Sequence, residues 1–136
     1  MSDSDHYETD LPVPNLAIGY TRVHDQSQQR IGGQWRENSL MIGTKGSPAG
    51  GGYSTVDDML RFSIALGNHK LLSQEYTDLV YLQPSPVGTV QAEKPRTFGV
   101  AGGAPGIGAA FKMYLDIGYV KVILSNHDPE DMQVIN

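Results

Sequence analysis

The chain contains no cysteine. That excludes a disulfide framework and any thiolate metal site, although it assigns no compartment, because secreted chains also do without cysteine. No apolar run approaches the roughly 20 residues a membrane-spanning helix needs. The opening MSDSDHYETD is acidic and polar, unlike a signal peptide. Lys and Arg number ten against fifteen Asp and Glu, and they are scattered, so no basic stripe marks a nucleic-acid surface. His6, His24, His69 and His127 stand apart with no His-x3-His pair, which argues against a metal site and for solvated or singly hydrogen-bonded side chains. The reactive patterns are missing too. There is no Gly-x-Ser-x-Gly elbow, no Ser followed three residues on by Lys, no Tyr followed two residues on by Asn, no phosphate loop and no Gly-x-Gly-x-x-Gly. No internal repeat is present.

What remains is an ordinary soluble composition: 136 residues, 39% hydrophobic, net charge −5. On length this is one domain with a modest core. Of its sixteen glycines, nine cluster in two places, Gly46–Tyr53 and Gly99–Gly108. The second place organises the chain. Ala109–Leu115 alternates and ends at the turn signal Asp116-Ile117-Gly118, and Tyr119–Leu124 is apolar and β-branched apart from Lys121, as a largely buried strand should be. The short turn pairs them as neighbours. Gly99–Gly108 holds five glycines and one proline in ten residues. Two readings of it stand: a flexible surface loop, which composition favours, or a strand edge whose bare N–H groups face a ligand.

Upstream, the acidic start is expected to be mobile, and Pro12 and Pro14 favour extended backbone and exclude helix over Leu11–Asn15. Leu16–Val23 reads as a short strand, His24–Gly33 as a turn or loop, and Ser39–Ile42 as a possible short strand. Ser54 or Thr55 opens the best helix. With Ser54 as cap, Asp57 takes the third helical position, and Asp57 and Asp58 both suit the positive end of the helix dipole. Helix neighbours point about 100° apart, so capping accounts for this pair better than acid–base chemistry does. Met59, Phe62, Ser63 and Leu66 recur at helical spacing, Leu60 and Ile64 widen the apolar face, and Gly67-Asn68 signals the stop. Tyr53 suits a core anchor before the helix better than a ligand contact. A second helix is expected over Gln74–Tyr81 with Ser73 as cap and Tyr76, Leu79 and Val80 as its apolar positions. Residues 82–96 are expected to be loop. Asp128-Pro129-Glu130-Asp131 has the form of a helix start, and its nearness to Asn136 suggests a truncated element.

Several of these blocks resemble one family. Ala49-Gly50-Gly51-Gly52-Tyr53-Ser54-Thr55-Val56-Asp57-Asp58-Met59-Leu60-Arg61-Phe62 is similar to the A-x-G-G-[LY]-x-S-T-x-x-D-[ML]-x-[RK]-F segment of serine β-lactamase-like hydrolases: class C β-lactamases, D-alanyl-D-alanine carboxypeptidases and related esterases. Leu71-Leu72-Ser73-Gln74-Glu75 resembles that family's LLS-x-E. Phe98–Gly106 resembles F-G-H-x-G-G-x-P-G, Val122–Asn126 resembles V-x-L-S-N, and Asn15–Tyr20 resembles N-x-A-x-G-Y. The blocks occur in the family's order across about residues 15–128.

The resemblance implies an α+β fold: the C-terminal part of the β-lactamase/transpeptidase-like fold, with about three antiparallel strands and flanking helices. Residues 1–14 would be a mobile segment and 15–136 a partial domain lacking the nucleophile-bearing part. Family members form an acyl-serine ester using Ser-x-x-Lys, Tyr-x-Asn, and a Lys-Thr-Gly or His-x-Gly triplet on a strand, with no cofactor and no metal. The first two motifs lie upstream of the equivalent of residue 1, near where the family reads P-L-G-M-x-D-T, so Met1 is expected to be internal. With Pro105-Gly106 setting the register, the triplet falls on Val100-Ala101-Gly102. Val100 replaces the His or Lys and offers no hydrogen bond, and Gly103 retains an N–H for an oxyanion. This suits an esterase-like or degenerate member. A small ester or amide would be the substrate of a full-length parent only. The alternative is a non-catalytic binding module on the same scaffold. Family members are often periplasmic or secreted. With the first two strands of the family sheet absent, the Tyr119–Leu124 edge and apolar surface around Leu60, Phe62 and Ile64 would be bare, predicting a homo-oligomer through that edge or a strongly rearranged fold.

Overall fold

In the computed structural model, residues 1–8, 11–24, 29–30, 33–43, 45–82 and 96–131 are described. The element order is β1 (Tyr20–Thr21), β2 (Val23–His24), β3 (Gln29–Arg30), β4 (Arg36–Glu37), α1 (Val56–Gly67), α2 (Gln74–Leu82), β5 (Thr97–Ala104), β6 (Ile107–Tyr114) and β7 (Tyr119–Ser125). β5, β6 and β7 form one sheet in that order, while β1 pairs antiparallel with β4 and β2 with β3. By contact the chain divides into two compact units: Met1–Asp3, Ser54–Ala101 and Ala110–Ile123, and then Ser4–Tyr53, Gly102–Ala109 and Leu124–Asn136.

The first unit is built on α1. Its cap is Thr55, whose Oγ1 accepts the Asp58 N–H at 3.2 Å, so Asp58 rather than Asp57 holds the third helical position. The Ser54 alternative is thereby set aside. Asp58 is fully buried and accepts from the Asp3 N–H (2.8 Å) and from Arg61 Nη1 (3.0 Å), while Asp57 is exposed. The helix ends at Gly67 with Asn68 as its C-cap, where the stop signal placed it. His69 takes a left-handed conformation (φ 55°), its N–H reaching the Leu66 carbonyl at 3.1 Å and the Lys70 N–H reaching Ala65 at 2.9 Å. These two bonds close the last turn.

The inward stripe of α1 buries Leu66 with Phe111 and Met113 of β6, and Met59, Phe62, Tyr81, Phe98, Leu115, Val120 and Val122 pack around them. Phe62 meets Phe111 edge-on at 5.8 Å. Phe62 therefore points into the core and is not part of the bare apolar surface expected of it, whereas Leu60 and Ile64 are exposed. α2 runs one residue past its expected end. Ser73 caps it through the Tyr76 N–H (3.4 Å), and Thr77, fully buried, faces inward while Tyr76 and Leu79 face out. Two expected apolar contacts are thus replaced by a buried hydroxyl that donates to the Ser73 carbonyl.

Glycine density did not prevent a strand at 97–104. The strand N–H and C=O groups that face β6 can be satisfied by it whatever the side chain, so pairing with β6 overrides the weak propensity. β6 begins at Ile107, two residues earlier than expected. Leu115–Gly118 joins it to β7, with Gly118 at φ 71° and its N–H on the Tyr114 carbonyl. Arg96 ties the start of β5 to this turn, donating from N and Nε to Asp116 at 2.8 Å each.

The second unit has short strands. The expected strand over Leu16–Val23 is interrupted, giving only β1 and β2, and Ser39–Met41 is a turn, the strand lying earlier at Arg36–Glu37. Residues 5 and 8 bridge Tyr53 and Lys45, so part of the segment expected to be mobile has partners. Asp131 N–H on the Asp128 carbonyl (3.0 Å) closes a single 3₁₀ turn at Pro129–Asp131. The rest of the expected C-terminal helix, and nearly all of the 82–96 loop, lie outside the described residues.

Candidate functional site

All four residues singled out for the substrate strand, Val100, Ala101, Gly102 and Gly103, lie consecutively on β5, and all are exposed. β5 is an edge strand: β6 pairs with one side, and among the described residues no strand pairs with the other. Of the two readings, the flexible loop is set aside over Gly99–Ala104. Val100 presents an aliphatic side chain with neither donor nor acceptor. A Cβ at Gly102 would meet nothing within 4 Å, whereas one at Gly103 would run into the Pro129 ring. Glycine at 103 thus serves a close approach, and at 102 it leaves space.

Beyond Gly103, the turn into β6 is held by residues that sequence reasoning read otherwise or passed over. Pro105 and Gly106 are its central residues, with Gly106 at φ 72°. The peptide joining them is gripped at both ends. Its carbonyl oxygen, on Pro105, accepts from Asn38 Nδ2 at 3.0 Å. Its N–H, on Gly106, donates to Asp128 Oδ1 at 2.8 Å. Asp128 is 1% exposed, and its other oxygen accepts the Arg22 N–H at 2.9 Å. Read from the sequence as a helix cap, Asp128 commits its carboxylate to groups distant in the chain.

Asn38, also buried, donates its own N–H to the Gly19 carbonyl at 2.9 Å. A Cβ at Gly19 would overlap the Asn38 amide and come within 2.5 Å of the Gly106 carbonyl oxygen, so only glycine fits that crossing. Asn126 completes the set: its carbonyl accepts the Tyr20 N–H at 2.8 Å and its Nδ2 donates to the Ile18 carbonyl at 3.0 Å. Close by, the Arg22 guanidinium lies 4.2 Å over the Trp35 ring, whose other neighbour is the exposed His127 ring at 4.7 Å. The available signal was the spacing of the resemblance blocks, since Gly19-Tyr20, Pro105-Gly106 and Asn126 come from three of them and meet here.

The remaining candidates are placed elsewhere. Tyr53 is half-buried, its ring 5.8 Å from that of Tyr7. Asp57 and Asp58 end in different surroundings and form no acid–base pair. Among the described residues no group of three or more His, Asp or Glu could hold a metal ion, and no helix is long and apolar enough to cross a membrane.

A family model described as Beta-lactamase matches residues 1–136. The chain belongs to the Beta-lactamase family. No curated protein sequence matches it. Among solved structures, this Beta-lactamase family chain is similar to the crystal structure of a penicillin binding protein from Bacillus halodurans, with a TM-score of 0.76 and 22% identity over 97% of this chain and 43% of that one. At that identity the likeness concerns the fold, which is the α+β, β-lactamase/transpeptidase-like fold. The chain spans less than half the length of that penicillin binding protein.

Proposed function

We propose that the chain is the C-terminal portion of a serine acyl hydrolase acting on an ester, a β-lactam or a D-Ala peptide, and that alone it is catalytically inactive. The reading is carried by β5: a family member presents Val100–Gly103 in a row on an unpaired strand edge, at the positions matched to the substrate strand. Gly103 N–H supplies one oxyanion donor there. The hydroxyl nucleophile and its proton acceptor come from Ser-x-x-Lys and Tyr-x-Asn in the parent, neither of which this sequence contains. A fluorescent penicillin and a fluorophosphonate probe should both leave the 136-residue chain unlabelled. Stoichiometric labelling of either kind would sink the proposal. The reading frame upstream of Met1 should run back through both motifs.

One observation favours a second reading, a non-catalytic binding module. Val100 stands where the family places a hydrogen-bonding His or Lys. A stop codon just upstream of Met1 would select this reading. Under either, we propose self-association through β7, whose outer side has no strand partner along Tyr119–Leu124 among the described residues and whose Tyr119 and Leu124 are exposed. Two copies can pair such edges around a two-fold axis. A monomeric mass by light scattering would reject it.

A further inference from the structure

The turn between β5 and β6 is not the kind a two-residue hairpin favours. Hairpins prefer turns whose first central residue has positive φ, because their twist matches that of the strands. Proline locks φ near −65°, so Pro105 excludes them. Pro105 followed by Gly106 at φ 72° is the pattern of a type II turn. Its weak point is the central peptide, which takes no part in the strand ladder. Flipping that one peptide plane converts the turn to type I, changing ψ at Pro105 and φ at Gly106. The planar trans peptide points its O and H in opposite directions, and here each end meets a buried polar side chain, Asn38 on the oxygen and Asp128 on the hydrogen.

We propose that Asn38 and Asp128 are positioning residues for the substrate strand: by holding the Pro105–Gly106 peptide in one orientation, they fix how Gly102 and Gly103 are presented before any ligand arrives. The inference rests on reading Gly103 as a donor to ligand. It gives three resemblance blocks one purpose, because Gly19 is the small residue that lets Asn38 reach the turn, and Asn126 anchors the strand segment running past it. A donor aimed at developing charge is effective only when held in place beforehand.

The test uses amide exchange and amide resonances of the 136-residue chain, with Asp128→Asn and Asn38→Ala. Each variant should speed exchange of the Gly106 amide about tenfold, the effect of losing one buried hydrogen bond. Each should also shift or broaden the Gly102 and Gly103 resonances, while the α1 amides from Met59 to Leu66 keep their protection. Faster exchange at Gly106 with Gly102 and Gly103 unmoved would overturn the proposal, because the strand would not follow the turn. Uniform loss of protection extending to α1 would also overturn it. Should Asp128→Asn not fold, Asn38→Ala, which leaves the carboxylate in place, decides by the same readout. If neither folds, the two are framework residues and the proposal fails. No substrate enters these measurements, so labelling by a serine-directed probe would remove the reading of an inactive C-terminal portion without altering them.

Discussion

The two units bury different chemistry. The first closes around Leu66, Phe111 and Met113, with aromatic rings meeting at the α1 and α2 contacts, and buries the polar Asp58, Ser63, Thr77 and Thr97 beside that apolar core. In the second, the buried side chains among the described residues are Thr21, Asn38 and Asp128, each polar, with no buried hydrophobic side chain. Apolar burial is non-directional and tolerates repacking. Buried hydrogen bonds depend on geometry, and each lost partner leaves a desolvated group behind. The first unit is thus built for stability. The second is built to keep particular backbone groups in particular places, which suits the turn beside the candidate strand.

The contrast is broken hardest in the first unit. Phe111→Ala removes a ring from the centre of the core and should cost about 3–5 kcal/mol in urea unfolding. A loss under 1 kcal/mol would mean that the core is not what holds this unit. The second unit predicts a smaller cost with a different cause. Thr21 is fully buried and its Oγ1 accepts the Val23 N–H at 2.9 Å. Thr21→Val keeps the shape and removes the acceptor, so it should lose about 1–3 kcal/mol despite being more apolar. An unchanged urea midpoint would show the buried hydroxyl to be replaceable, and the distinction between the units would fall.

The smallest effect sharpens the comparison from the other side. Tyr81 lies in the apolar unit with its buried hydroxyl lacking a hydrogen-bond partner among the described residues. Burial, and then the Asp78 carboxylate, raise its ionisation above the ordinary 10.0. The neutral phenol is therefore the folded form, and its contribution is complete below pH 10.0 and lost as pH rises through the raised folded value. Tyr81→Phe should be neutral or stabilising by up to about 1 kcal/mol at pH 7. It should also remove the part of the alkaline decline that begins at pH 10, as followed by urea midpoints across that range.

The same contrast explains what could be read in advance. α1, α2, β6 and β7 announced themselves by periodicity and capping residues, because apolar burial leaves a periodic trace. The errors there were local: Phe62 turned inward, and Tyr76 and Leu79 of α2 turned outward. The latch around Pro105-Gly106 leaves no such trace. Asn38, Gly19 and Asp128 are isolated polar or small residues far apart in the chain, and Asp128 fitted a local role as a helix cap so well that its distant partners were hidden. β5 lay between these cases. Its glycines argued for a loop, and only the neighbouring strand, through backbone bonds that ignore side chains, made it a strand. Val100–Gly103 were legible as a row by likeness to the family, and a strand edge was one of the two readings that the glycines left open.

Gly102 has a practical consequence. Nothing stands within 4 Å of the place a side chain would occupy there, and the chain has no cysteine of its own. Gly102→Cys would therefore install a single addressable thiol at the exposed strand edge without displacing a neighbour. A spin label or fluorophore attached to it would report from that strand alone, whatever ligand or partner chain the edge receives.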